Sequence, residues 1–176
     1  MKDTKIRQLV LSAMFAALCC VATMSVKVPS LTKGYVNIGD SIVLLSAWMI
    51  GGAYGALAAG IGSAMADLIS GYSHYVPGTL VIKFLMALFA WLVFTALVKR
   101  KVPKTAAYIV SAVVAEVTMI LGYFTYQFTI LGYGIGAAAS VSGNIMQGIT
   151  CSLIGIALMS ALNAAKVPTK FFAGQH

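Results

Sequence analysis

Three of the four acidic residues in this chain, Asp40, Asp67 and Glu116, stand inside long apolar stretches. Lys83, Asn144 and Gln147 do so as well. An ionisable group within a membrane span costs on the order of 2.5–3.5 kcal/mol, so it faces a cavity or a partner. Tyr35, Tyr75, Tyr123 and Tyr126 supply aromatic faces, and His74 lies beside Tyr75. Phenol rings with a few carboxylates and amides suit stacking on, and hydrogen bonding to, a small polar molecule. The chemistry of hydrolysis is missing. There is no Walker A lysine motif, nucleophile elbow, HExxH or Cys/His cluster, and no metal ligand set or cofactor is expected. Gly132-x-Gly134-x-x-Ala137 matches a relaxed dinucleotide fingerprint but has no preceding strand, so it reads as a loop.

Each residue also has a structural reading. Asp40, before an apolar run, suits a helix N-cap. Asp67 and Lys83 lie at similar depth and could neutralise each other. Asn144 and Gln147 could join helices by hydrogen bonds. His74 could be a plain loop residue, and the tyrosines interfacial belt residues. Glu116 has no cation on its own helix and sits deepest, which favours a ligand or coupling role.

The elements that must hold these groups are membrane helices. Of 176 residues, 60% are apolar and 9% charged, against ~25% charged in a typical soluble domain. Mean hydropathy is +0.94. The reading is an all-α integral membrane protein, a single membrane domain over 1–176, with no room in that length for an ATPase or DNA-binding domain. The apolar runs give helices at about 8–26, 40–53, 55–72, 79–98, 106–127 and 141–163. The segment 40–72 could be one helix or two. A hairpin near Gly51, Gly52 and Gly55 gives six transmembrane helices with cytoplasmic N- and C-termini. It puts nine cations, among them Arg7, the Lys99–Lys104 run and Lys170, on one face against Lys27 and Lys33 on the other. The positive-inside rule prefers this arrangement, and it explains the +8 net charge without nucleic acid. The intramembrane polar groups then gather toward the outer face. A conduit would string them through the membrane, whereas an outward-facing pocket gathers them at one end.

The first helix carries no intramembrane charge. Ala13, Ala16, Ala17 and Cys20 form a small-residue stripe, with Ala13-x-x-x-Ala17 as a small-xxx-small pair that admits another helix backbone. Cys19, Cys20 and Cys151 are an odd number without ligand spacing and read as small packing residues.

Over nearly its whole length the chain resembles the S components of energy-coupling factor (ECF) vitamin transporters. The resemblance rests on the length, six helices, Ala13-x-x-x-Ala17, the segment Gly34-Tyr35-Val36-Asn37-Ile38-Gly39-Asp40, the Gly-rich hairpin, and Asp67-Leu68-Ile69-Ser70-Gly71-Tyr72. It implies a substrate-binding membrane subunit of an ABC-type importer in a prokaryotic plasma membrane, and not an enzyme. Its pocket would lie under the outer loops 27–39, 73–78 and 128–140, with Tyr35 and Asn37 joining the binding residues named above. The first helix would dock, through Ala13, Ala16 and Ala17, on a transmembrane T subunit driven by two ATPase subunits. The variant looks most like the pyridoxine and hydroxymethylpyrimidine branch, so vitamin B6 is the expected ligand. A larger ligand such as riboflavin would call for more tryptophan than Trp48 and Trp91. Three rivals stand beside this reading: a stand-alone proton-coupled transporter using Glu116, a membrane enzyme with Glu116 or Asp67 as acid or base, and a purely structural membrane protein.

Overall fold

A computed structural model describes residues 2–29 and 35–166 of the chain. Gly34 of the glycine–tyrosine segment, and Lys33 and Lys170 of the charge count, lie outside the described residues. Helix α1 (Lys2–Ser25) leads into a two-stranded antiparallel hairpin, β1 (Lys27–Pro29) and β2 (Tyr35–Asn37), in which Val28 pairs with Val36. Then follow α2 (Asp40–Met49), α3 (Gly52–Ile69), α4 (Val76–Lys99), α5 (Lys104–Thr129) and α6 (Val141–Ala164), the last entered through a short 3-10 helix at Gly134–Ser140. The hairpin and the 3-10 helix fall in segments that hydropathy reads only as loops.

Five helices are long and apolar enough to cross a membrane; α2 is the shorter apolar one. Its ten residues rise about 15 Å, half of the ~30 Å hydrocarbon core. The helix expected at 40–53, already the shortest of the six, is shorter still: five full-length helices surround a half-length one. α2 stops short of residue 53 because Gly51 and Gly52 both take positive φ, 68° and 55°. A left-handed pair ends the hydrogen-bond ladder, and glycine alone enters that region without strain. Trp91 packs where a Gly51 side chain would stand. At the other end of the bundle from α2's first turn, Pro103 (φ −52°, ψ 135°) stops the chain between α4 and α5.

α1 packs on α3, α3 on α4, α4 on α5 and α5 on α6, while α2 sits among α1, α3, α4 and α6. Nine of the ten α2 residues are buried, including Val43, Leu44, Trp48 and Met49. Leu44, Met86, Met119 and Met159 fill the core without solvent contact. The outward faces are apolar as well: Leu9, Val21, Leu68, Val81, Val113 and Leu153 are all exposed. That surface suits lipid rather than water, since soluble monomers rarely expose such contiguous apolar area.

Candidate functional site

The polar residues converge at one end of the bundle, where α1, α3 and α5 finish and α2, α4 and α6 begin. Ten side chains line a cavity there: Tyr35 and Asn37 on β2, Asp67 near the end of α3, Tyr75 and Thr79 at the start of α4. Tyr123 and Gln127 on α5, Ser140, and Asn144 and Gln147 on α6 complete it. Its empty space is about 430 Å³ with the mouth included, but the cavity proper is only about 40 Å³, well below the ~300–1,000 Å³ of ligand pockets, so these side chains nearly close it. The lining is chosen by helical period. Tyr75 and Thr79, Tyr123 and Gln127, and Ser140 and Asn144 are pairs four residues apart, hence on one face.

These side chains hold one another. The Asn37 Oδ1 accepts from the Gly39 N–H at 2.8 Å, a local turn that redirects the chain from β2 into α2. The Asn37 backbone N–H donates to Gln147 Oε1 at 2.7 Å, and Gln147 Nε2 donates to Asp40 Oδ2 at 2.6 Å. The other Asp40 oxygen takes Lys83 in an ion pair with both side chains buried. Lys83 Nζ also lies 5.4 Å from the centre of the Tyr123 ring, within cation–π range. Asp67 accepts from the Tyr35 hydroxyl at 2.6 Å and from Thr79 Oγ1 at 2.5 Å. Burial first, and then the Asp67 carboxylate, push the Tyr35 phenol above its ordinary value. It stays protonated and remains a donor to that carboxylate. Ser140 Oγ donates to Gln127 Oε1 at 2.7 Å.

Several expectations change. Asp40 is not the N-cap of α2; Gly39 holds that position and makes no side-chain bond. Lys83 pairs with Asp40 rather than with Asp67, whose oxygens are met by hydroxyls. Asp40 and Lys83 therefore stand behind Gln147 instead of lining the cavity. His74 is exposed, in the turn just before α4. Its carbonyl accepts the Tyr126 hydroxyl at 2.7 Å, and its ring lies 4.7 Å from Tyr75. Glu116 lies deeper, against Gly148 of α6, and is not among the cavity-lining residues. Thr79, Gln127 and Ser140 line the cavity although sequence reasoning did not select them. The signal was present in the four-residue spacing to Tyr75, Tyr123 and Asn144. Trp48 and Trp91 are elsewhere: Trp48 Nε1 donates to Ser111 Oγ at 3.0 Å, and Trp91 covers Gly51. The number of tryptophans therefore says nothing about what this cavity stacks on.

A second concavity runs along the flank between α1 and α3, with Leu9, Ala13, Ala17, Tyr54, Leu57 and Ile61 among its walls and about 1170 Å³ of empty space. Ala13 and Ala17 are exposed in it, whereas Ala16 is half-buried. A side chain at Gly62 of α3 would collide with the Ala16 carbonyl. Ala16 lines the groove too, while its backbone carbonyl marks the close approach of α1 to α3.

A bundle of lipid-facing helices with a polar cavity at one end defines a membrane protein that binds a small molecule. The family model of the S component of ECF-type riboflavin transporters matches residues 3–164, and the chain belongs to that family. It is a membrane-embedded transporter subunit and not an enzyme. A solved structure of the S component of a bacterial ECF transporter superposes with a TM-score of 0.70 at 22% identity, covering 93% of this chain and 99% of that one. At that identity the likeness shows the shared fold. An uncharacterised protein encoded in the gap 3′ region of Pyrococcus woesei is 32% identical over 136 residues, 77% of this chain and 87% of that protein.

Proposed function

We propose that the chain captures a neutral, hydroxylated heteroaromatic vitamin in the cavity and delivers it to an ATP-driven module. The observation that carries this is the lining itself: three phenol rings, four amides and two hydroxyls converge on one space. Among its described residues Asp67 is the single charged group. A carboxylate or phosphate on the ligand would meet Asp67 with no cation to offset it, because Lys83 is already held by Asp40. The family's description supports riboflavin, and the small volume supports a single-ring vitamin such as pyridoxine (vitamin B6) or hydroxymethylpyrimidine. Both types are neutral and carry hydroxyls.

The basic residues at the α4–α5 turn, Lys99 to Lys104, support a cytoplasmic position for that end, and so an outward-facing cavity in a prokaryotic plasma membrane. Cytoplasmic termini and six crossings follow if α2 and its turn count as half of a paired crossing. In this reading the α1–α3 groove, through Ala13 and Ala17, receives a helix of the T subunit that works with two ATPases. Asn37, Asp67, Tyr75, Tyr123, Asn144 and Gln147 touch the ligand, while Asp40 and Lys83 hold Gln147 in place.

The test is calorimetric titration of the detergent-purified chain with riboflavin, pyridoxine, hydroxymethylpyrimidine and their phosphate esters. One of the neutral compounds binds and is recovered chemically unchanged. Its phosphate ester binds about tenfold more weakly or worse. Silence across the neutral compounds, or recovery of a converted product, would overturn the reading.

A further inference from the structure

At and beyond the cavity wall, Glu116 on α5 and Asn144 on α6 are two buried polar groups with hydrogen-bonding capacity unused. Glu116 is 5% exposed and neither carboxyl oxygen has a hydrogen-bond partner among the described residues. Asn144 is 9% exposed, and its Nδ2 likewise has none. Asn144 lines the cavity, and Gly148 stands one helical turn further along α6 on the same face. Glu116 lies against the bare Cα of Gly148: a methyl group there would come within 3.1 Å of Glu116 Cβ and 3.2 Å of Oε2. The unmet donor and the unmet acceptors are thus about one turn apart, with Asn144 in the cavity wall and Glu116 just beyond it, where α5 and α6 also form an apolar groove lined by Val113, Ile145 and Ile149.

Buried polar atoms are nearly always paired, because leaving one unpaired costs more than a typical hydrogen bond contributes. The nearby charges do not resolve the deficit. Asp40 and Lys83 act on Glu116, but they already neutralise each other in their own ion pair. On α6 the neighbouring titratable group is Cys151, whose thiol donates to the Asn37 carbonyl at 3.4 Å.

We propose that Glu116 and Asn144 form a subsite at the floor of the cavity, opened as the ligand seats. It receives a neutral polar group that donates to Glu116 and accepts from Asn144. A hydroxyl does both with one atom; the N–H and carbonyl of a lactam or imide edge do so with two. A carboxylate or phosphate at this end of the ligand has no donor to offer Glu116 and is rejected. Gly148 gives the carboxyl its space, so its lack of a side chain is part of the subsite. This inference rests on the vitamin-binding reading and specifies which group of the ligand points inward.

The experiment compares wild type, Glu116→Met and Gly148→Ala in two ways: thermal unfolding without ligand, and titration with riboflavin and pyridoxine. Glu116→Met removes an unpaired polar group, so the ligand-free protein unfolds at the wild-type temperature or above. Its affinity for whichever vitamin wild type binds falls by about tenfold or more. Gly148→Ala pushes on Glu116 and gives a smaller loss of the same kind. A lowered unfolding temperature for Glu116→Met would mean the carboxyl already holds the fold, and unchanged affinity would mean no ligand group reaches it; either result overturns the subsite. If wild type binds neither vitamin, the vitamin reading fails by itself, and the ligand-free unfolding still decides whether Glu116 is a fold-holding group.

Discussion

Two of the concave surfaces of the bundle are built on opposite principles. The end cavity is narrow, about 430 Å³, and its walls are phenols, amides and hydroxyls fixed by bonds to one another. The α1–α3 groove is nearly three times larger by the same measure, about 1170 Å³, and its walls are alanines and aliphatic chains. The first surface recognises by what its side chains present. The second offers the absence of side chains, which lets another backbone come close. Recognition in the cavity needs each group aimed, so it relies on residues that never touch the ligand, Asp40 and Lys83 above all. The groove needs no such support. Damage to the cavity's support should therefore spread through the fold, while changes in the groove should stay local.

The largest effect expected from that difference is at Lys83. Lys83→Met strands Asp40 as an uncompensated charge beneath Gln147, and breaking a buried ion pair from one side costs about 3–5 kcal/mol. Thermal unfolding of the detergent-purified protein should drop accordingly, with ligand binding weakened because Asp40, no longer held by Lys83, positions Gln147 less firmly. Adding Asp40→Leu to Lys83→Met should restore most of the stability, since replacing both partners removes the stranded charge. A Lys83→Met protein as stable as wild type would show that the pair does not support the cavity end, and the contrast between the two surfaces would collapse.

The reach of the sequence was uneven for physical reasons. Long apolar runs and the Gly51–Gly52 break are one-dimensional signals, so helix positions were readable, and so was the gathering of polar groups at one end. Ion-pair choice was not. Asp67 and Lys83 share a depth, yet depth does not say which helix face each occupies. Asp40, with the α2 core around it, faces Lys83, while Asp67 faces two hydroxyls. The shortness of α2 was partly legible in its 40–53 bounds, but its burial inside the bundle was not, because hydropathy measures apolar content and not whether lipid or protein surrounds it. Thr79 and Ser140 carried little signal because small hydroxyls in a helix often bond their own backbone, and Gln127 was legible as a polar group near the outer end of its span but not as a lining one. Their four-residue offset from Tyr75, Tyr123 and Asn144 was the available clue. Glu116 was legible as unusual, but its displacement from the cavity depends on Gly148, which only the packing of α5 on α6 shows.

A middle-sized effect sharpens the cavity side of the comparison. Gln147 holds the Asn37 N–H with one amide atom and Asp40 with the other. Gln147→Ala leaves both unpaired, at about 1–3 kcal/mol for a buried group, so both stability and affinity should fall. Asn144→Ala removes a side chain whose Nδ2 has no hydrogen-bond partner among the described residues. It should cost about tenfold in affinity and leave the unfolding temperature near wild type. Titration and thermal unfolding of the two variants together separate a supporting amide from a contacting one. If both variants lost stability equally, Asn144 would be a second support and not a contact.

The smallest effect on binding is expected in the groove. Ala17 is exposed there, so a leucine at that position projects into the groove without displacing a neighbour in this chain. Ligand affinity of Ala17→Leu should stay within about twofold of wild type, as for sites that share no partners, and the unfolding temperature should not move. Uptake of the bound vitamin in cells that hold the T subunit and its ATPases should nevertheless fall sharply, because the added side chain blocks the close approach of another helix. Ala16→Leu makes the instructive contrast. Ala16 is half-buried against α3, beside Gly62, so its enlargement should lower stability as well as uptake. Normal uptake by Ala17→Leu would move the docking surface off this groove and leave the cavity as the one concavity with a function.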